Sequence, residues 1–534
     1  MKKRPILLPL LLLLLLFSAC GTDIFSLNPA GVPHTPSLDR NAEDATDIEV
    51  YDDYLEHIQV TTSAVIDDSR REVLRLSMRH PLTLNPLLNE DATVDRILRL
   101  IFEPLIILDE NLRPTSHLAE LEFSPDYSSV TLAIRNDAFW SDGMPVTADD
   151  LIFSVDMLRS APETVIYHAN VQNIAGISRI NARTVQIRFY NASPLVGIDL
   201  NFPIIPRHHY QGQNRNSMTP LGNGPFLFES HTNMRNIMLA QNPASFRTLS
   251  HIQNIEVIFL PDAQTELYAF DQGRIDAIYL PLTEWVRHHS VRHPHYEIFP
   301  AMYFEFIGFN FRNEIFQNLH MRQGIAHAFN ASEAVQAVYL THAVRATSPI
   351  HPNSFMSGNV SGLRYDPVRA RALLNAVPVD RPLTIIVNRD NPQRVSMGER
   401  LTGALNAIGM PARIEALHYE EYFARLDSGD FDLFIGGMNL ALIPDVSIFF
   451  KPQEASLFID DEVLQASFDA MESAGTQADY LTAVTRFQHD FAERLPVIGL
   501  AFRHSAVLTS THITQNRAPA PDNILGWVNL WVIE

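Results

Sequence analysis

The chain has 534 residues and a single cysteine, Cys20. One thiol excludes an intramolecular disulfide, a multi-cysteine zinc site and an iron–sulfur cluster. Basic charge is also scarce: 40 lysines and arginines stand against 61 acids, a formal net charge of −21. A nucleic-acid binder needs a basic face, so this balance argues against one. Lysine is nearly absent, present only as Lys2, Lys3 and Lys451, which reads as genome bias rather than function. No long apolar run follows the N-terminal leucines, which leaves no second candidate for a membrane span. Against these absences stands a 46% hydrophobic composition over a length of three to four average domains, at about 150 residues each, enough for large cores.

The N-terminus reads as an address. Lys2, Lys3 and Arg4 precede an apolar stretch from Leu7 to Phe17, broken at Pro9, and then come Ser18, Ala19, Cys20 and Gly21. A basic start, a short apolar core and small residues before a cut site form a secretory signal, and the core is too short to span a bilayer. The cysteine behind the small residues resembles a lipobox, with Phe17 where that pattern prefers leucine. It implies cleavage after Ala19 and a diacylglycerol on Cys20. The alternative is an ordinary signal peptide with an incidental cysteine. Residues 20–70 read as an acidic tether: turn formers from Asn28 to Pro36, then acids from Asp39 to Asp53 with few large apolar residues. Tyr51 to Val60 can form a short amphipathic piece within it.

From Val73 the pattern is that of a folded α/β protein. Val73–Met78, Val130–Arg135, Val185–Phe189, Ile255–Leu260 and Phe431–Ile435 read as strands. Val94–Phe102, a segment opened by Thr147-Ala-Asp-Asp, one running through Tyr268, Val368–Leu374, Arg400–Ile408 and Tyr480–Arg494 read as helices. Met321–Leu340 reads as helical with a break near Asn330, and Gly409 as a C-terminal cap. Strands and helices alternate without a short repeat, which implies more than one lobe.

The ordered motifs from about residue 73 to 500 resemble one family, the extracytoplasmic solute-binding proteins of ABC importers, family 5 (peptide and nickel type). Pro81-Leu-Thr-Leu-Asn-Pro86 resembles its "TLNP" turn, and Leu100–Leu105 and Leu118–Glu120 follow. Leu132–Asp150, containing Trp140-Ser-Asp-Gly and Thr147-Ala-Asp-Asp, is the most specific match. Gly222-Asn-Gly-Pro-Phe226, Asp271–Asp276, Phe309-Asn310, Met321–Ala326 and Tyr365–Leu374 complete the series. Read locally, Trp140–Gly143 is a tight turn, and a structural role is favoured for it, for Glu103-Pro104 and for Gly222–Gly224.

The resemblance implies a two-lobed, periplasmic-binding-protein-like α/β fold (type II, cluster C) whose hinged lobes close on a solute. Lobe I would span 71–309 and 501–534, and lobe II 310–500, behind the signal peptide 1–19 and the tether. It implies a monomeric receptor that needs no cofactor, works with the permease and ATPase subunits of an importer, and is lipid-anchored on the extracytoplasmic side of the cell membrane, at the periplasmic face or the outer surface. In peptide-binding members an aspartate follows the "G-x-F-D" strand and pairs with the ligand's amino terminus. An ungapped reading here puts Met438 for the motif's tryptophan, Ala441 for that aspartate and Leu442 for its tyrosine. Alanine cannot hold an ammonium group, and Asp445 compensates only if the loop is rearranged. Met438 either forms a soft apolar wall or packs beneath the pocket. Met438, Asn439 and Ala441 are therefore candidate solute contacts, with Asn85, Tyr167, His168, Met302 and Tyr303 added by position.

An enzyme reading finds less support. His288, His289, His293 and His295 cluster, but interleaved Arg287 and Arg292 and the break at Pro294 favour a solvated loop over a metal site. No His-Glu-x-x-His or Gly-x-Ser-x-Gly occurs, and Asp149-Asp150 fit a helix start. The remaining alternatives are a sensory receptor with the same closing lobes, and a binder of nickel chelates or oligosaccharides.

Overall fold

The computed structural model describes residues 73–534 apart from 213–215, 282–292, 359, 378, 444–445 and 451–458. The signal-like start, Cys20, the tether, His288, His289 and Asp445 all lie outside the described residues.

The N-terminal half builds two four-stranded sheets. In one, Val73–Met78 pairs in parallel with Asn254–Phe259, which continues antiparallel to Asn236–Gln241 and Phe226–Thr232. In the other, Ala119–Phe123, Ser129–Ile134, Thr184–Phe189 and Ile174–Arg179 form an antiparallel sheet in that spatial order. Val73–Met78 and Ser129–Ile134 alternate half-buried and buried positions, the period-two pattern of a strand with one face on a core. Helix Ala92–Ile101 starts where the Asp91 carboxylate accepts from the Thr93 and Val94 amides.

A seven-stranded mixed sheet joins this half to the rest. Its order is Ala277–Leu280, Val497–Thr509, His295–Phe309, Leu433–Asn439, Leu383–Asn388 and Ala412–Leu417, with Ala343–Arg345 also on Val497–Thr509. The two longest strands, His295–Phe309 and Val497–Thr509, run antiparallel along almost their whole length. Their register breaks once between Pro300 and Phe304 and again between Glu305 and Phe306. Before the first break, Ala277–Leu280 flanks the pair; beyond it, Leu433–Asn439 does. A bulge there bends the strand and re-aims its side chains.

Beyond the bulge a second core forms. Ile307, Phe309, Ile385, Val387, Leu433 and Ile435 of the sheet pack with Met321, Ile325, Leu401 and Leu405 of the helices over it. Leu383–Asn388 is buried at every position and parallel to both neighbours, as expected of a strand covered on both faces. Met321–Leu340 is two helices, Leu319–Ala328 and Ala331–Tyr339, the second capped by Asn330. The helix expected over 400–408 is longer, Pro392–Ala407: Asn391 caps it and Pro392 occupies its first turn, where no amide partner is needed. Gly409 adopts φ +87°, the left-handed geometry that ends a helix.

Candidate functional site

The motif residues turn out to hold the scaffold. Asp150, almost fully buried, accepts from the Thr147 amide (2.9 Å), the Trp140 indole (3.3 Å) and the Arg207 amide (2.8 Å). One carboxylate thus ties a tight turn, a helix start and a distant loop together. The turn itself needs Gly143, at φ +82°. Asn223 and Gly224 donate their amides to the Ile101 carbonyl at the end of helix Ala92–Ile101. A Cβ on Gly222 would lie 2.0 Å from that oxygen, so only glycine lets the loop cross there. Asp276 grips Arg75 with both oxygens, and Asp432 grips Arg381 and the Thr384 amide.

The chemistry gathers at the carboxyl ends of the parallel strands. Leu383–Asn388, Ala412–Leu417 and Leu433–Asn439 point the same way and end on one edge, next to the bulge. In open α/β sheets this edge is where ligands are held. Its rim is exposed, with polar Arg389, Asp390, His418 and Asn439 beside Ala441. The Arg389 guanidinium lies 2.9 Å from His418 Nε2, and the Asp390 carboxylate accepts from the Tyr419 amide at 3.3 Å.

Behind the rim lies a buried charge cluster. Glu305, wholly buried, accepts from Arg394 Nε (3.0 Å), Arg394 Nη2 (3.3 Å) and Arg503 Nη1 (3.1 Å). Arg394 also donates to the Tyr303 hydroxyl (2.9 Å), which in turn donates to the Gly437 carbonyl (3.0 Å). The Arg503 guanidinium rests about 6 Å from the Tyr303 and Tyr339 rings. Gly437 has a steric reason: a Cβ would stand 2.7 Å from the Tyr303 ring and 2.8 Å from Arg394. Burial pulls the Arg394 guanidinium down, but the Glu305 charge beside it outweighs that and holds it well above its ordinary value. Burial pushes the Tyr303 phenol up, with Arg394 opposing.

The structure brings five of the eight candidate solute contacts together and separates three. Tyr303 pairs with Asn439 in the sheet, Phe304 with Met438, and the Leu440 amide donates to the Met302 carbonyl (2.8 Å), which sets Ala441 just beyond. Met438 is buried among Phe304 and its neighbours, whereas Asn439 and Ala441 are exposed. Asn85 is fully buried elsewhere, its amide at the Met157 sulfur and its carbonyl on the Leu87 amide. Tyr167 is buried with its hydroxyl on Asp95 (2.8 Å), and His168 meets Gln172. Position along the chain misses Glu305, Arg394 and Arg503. The signal for Glu305 was a lone acid between phenylalanines. His295, from the histidine cluster, has its ring on the Ile513 carbonyl. Among the described residues, no three His, Cys, Asp or Glu side chains are grouped to hold a metal, and no helix is long and apolar enough to cross a membrane.

The family model of bacterial extracellular solute-binding proteins, family 5, matches residues 113–456, more than half of the chain. The chain belongs to this family. A Brucella ovis protein named as an ABC transporter peptide-binding protein is 24% identical over 325 residues, 58% of this chain and 62% of the relative. The chain thus spans less than two thirds of that relative's length. A solved ABC transporter substrate-binding protein from Listeria monocytogenes superposes with a TM-score of 0.73 at 17% identity, over 86% of this chain and 99% of that one. The Campylobacter jejuni protein NikZ, solved with Ni(L-His), gives 0.64 at 19% identity over 86% and 99%. The fold is the two-lobed α/β architecture of periplasmic binding proteins.

Proposed function

We propose that the chain is the solute-binding component of an ABC importer. It closes two lobes on a peptide or similar small polar solute and hands it to the permease, which the ATPase subunits drive. It binds the solute without turning it over. The observation that carries this reading is the pair of long strands that runs from one half into the other and bulges where the parallel strands end on a polar rim. The crossover belongs at the bulge, Pro300–Phe304 opposite Arg503, a few residues before the 309/310 boundary and a few after the 500/501 boundary given by resemblance. Lobe I is then 71 to about 300 with the C-terminal segment, and lobe II the insertion between. Cys20 anchors the mature chain by lipid, and residues 20–70 are its tether. Ala441, in the place of the amine-binding aspartate, favours solutes held without that contact, among them nickel chelates and oligosaccharides.

The test is a chain carrying Cys20→Ser, purified for mass spectrometry of any bound solute and then titrated with peptide, sugar and metal-chelate pools. Binding without turnover supports the receptor reading, and turnover of any pool member sinks it. In cells, Cys20→Ser should move the protein from the membrane fraction to the soluble one. A membrane fraction unchanged by Cys20→Ser would refute the lipid anchor.

A further inference from the structure

We propose that the hairpin tip at residues 109–113 and the loop at 352–357 form a latch that biases the two lobes toward the arrangement seen in this structure. This rests on the two-lobed receptor reading above, which puts the tip in lobe I and the loop in lobe II.

Each half of the latch is braced by its own hydrogen bonds. The tip joins strands Ile106–Leu108 and Pro114–Ser116. The Asp109 carboxylate accepts from the Asn111 amide (2.8 Å) and the Arg113 amide (2.9 Å), and Leu112 takes a left-handed φ of 58°. Leu108 and Leu112 are buried, and the neighbouring Leu105 amide donates to the Phe202 carbonyl, which roots the hairpin in the first lobe. The facing loop is held by Gln488 of helix Gln477–Arg494: its side chain donates to the Met356 carbonyl (3.0 Å) and accepts from the Gly358 amide (3.3 Å).

Between the halves there is little. The Phe355 amide donates to the Asn111 carbonyl (2.8 Å), and the Arg113 guanidinium lies 5.2 Å from the Phe355 ring centre. Beside them opens a polar cavity of about 520 Å³ lined by Glu110, Asn111, Asn353, Ser354 and Ser357. One hydrogen bond and one cation–π contact between braced partners suit a device that must both make and break. Such a contact shifts an equilibrium between two forms by about five- to thirtyfold, without fixing it.

The test places cysteines at Glu110→Cys and Asn353→Cys in the Cys20→Ser chain, which has no other thiol. These sites flank the latch and leave Asn111, Arg113 and Phe355 intact. The rate at which a short bis-maleimide links them reports the latched population, and mono-maleimide labelling controls for thiol access. Arg113→Ala, Phe355→Ala and the double variant should each slow linking by about two- to fivefold, because each removes the same contact. Unchanged rates, or a double variant slowed by the product of the singles, would overturn the latch. Circular dichroism confirms that each variant is folded. The readout needs no solute, so a chain that binds none of the tested pools would count against the importer reading while leaving the latch result intact.

Discussion

Removing the charge of Glu305 tests the buried cluster directly. Glu305→Gln keeps the side chain's shape, but two buried guanidinium groups, on Arg394 and Arg503, lose the carboxylate between them. Neither arginine can reach bulk water: their side chains are 1% and 5% exposed. Breaking a buried ion pair from one side costs about 3–5 kcal/mol, because the surviving charge stays desolvated. For a cooperative body of 150–250 residues, 1 kcal/mol is worth about 2–4 °C, so the melting temperature should fall by roughly 6–20 °C. Calorimetry and urea unfolding of the Cys20→Ser chain at neutral pH measure it. Moderate salt should change the loss little, because buried charges are weakly screened. The matched control is Glu305→Met with Arg394→Met and Arg503→Met together, which replaces the cluster by apolar side chains of similar size. That triple variant should lie within about 2 kcal/mol of the parent, since a well-packed apolar substitute for a buried ion pair is often neutral. A single Glu305→Gln loss below about 1 kcal/mol would refute the reasoning.

Two further predictions concern pH. His351 is buried with its ring 4.8 Å from that of Phe502, and burial lowers its pKa to about 4. The unfolded imidazole takes up its proton first, so stability should fall by about 3 kcal/mol as pH drops from 6.5 toward 4. His351→Phe should flatten that limb of the urea midpoint plotted against pH; an unchanged slope counts against it. Asp199 behaves in the opposite sense, with burial raising its carboxyl to about 7. The folded state prefers the protonated acid, so the stability it contributes is lost as pH rises through 7. Asp199→Asn should therefore gain roughly 2–4 kcal/mol at pH 8 and little at pH 4, read from the same titration.

The parts of the fold legible in the sequence are those with a wet side. Val73–Met78, Ser129–Ile134 and Thr184–Phe189 each face a core with one side only, and the resulting alternation announces a strand. The two strands that define the architecture lose this alternation where they are covered on both faces. Phe304 to Phe309 and most of Val497–Thr509 are buried on both faces, so their apolar runs carry no period. Helix Pro392–Ala407 was half legible for a related reason. Its later turns bury Met397, Leu401 and Leu405, whereas its first turn carries Arg394 into the charge cluster. There the start signal was the cap, Asn391 before Pro392, rather than hydrophobic spacing.

The site was less legible because sheet register assembles it. Glu305 and Arg503 are 198 positions apart, and only the pairing of their strands past the bulge places them 3.1 Å from each other. The cluster and the rim also answer to different demands. Tyr303, Glu305, Arg394 and Gly437 constrain one another, so a change at any of them disturbs the others and is opposed by the fold. Asn439 and Ala441 are exposed at the end of their strand, and packing asks nothing of their side chains. An alanine at 441 therefore carries no structural explanation. What fills the position can change at almost no cost in stability, so on the proposed receptor reading residue 441 answers to the solute and not to the scaffold.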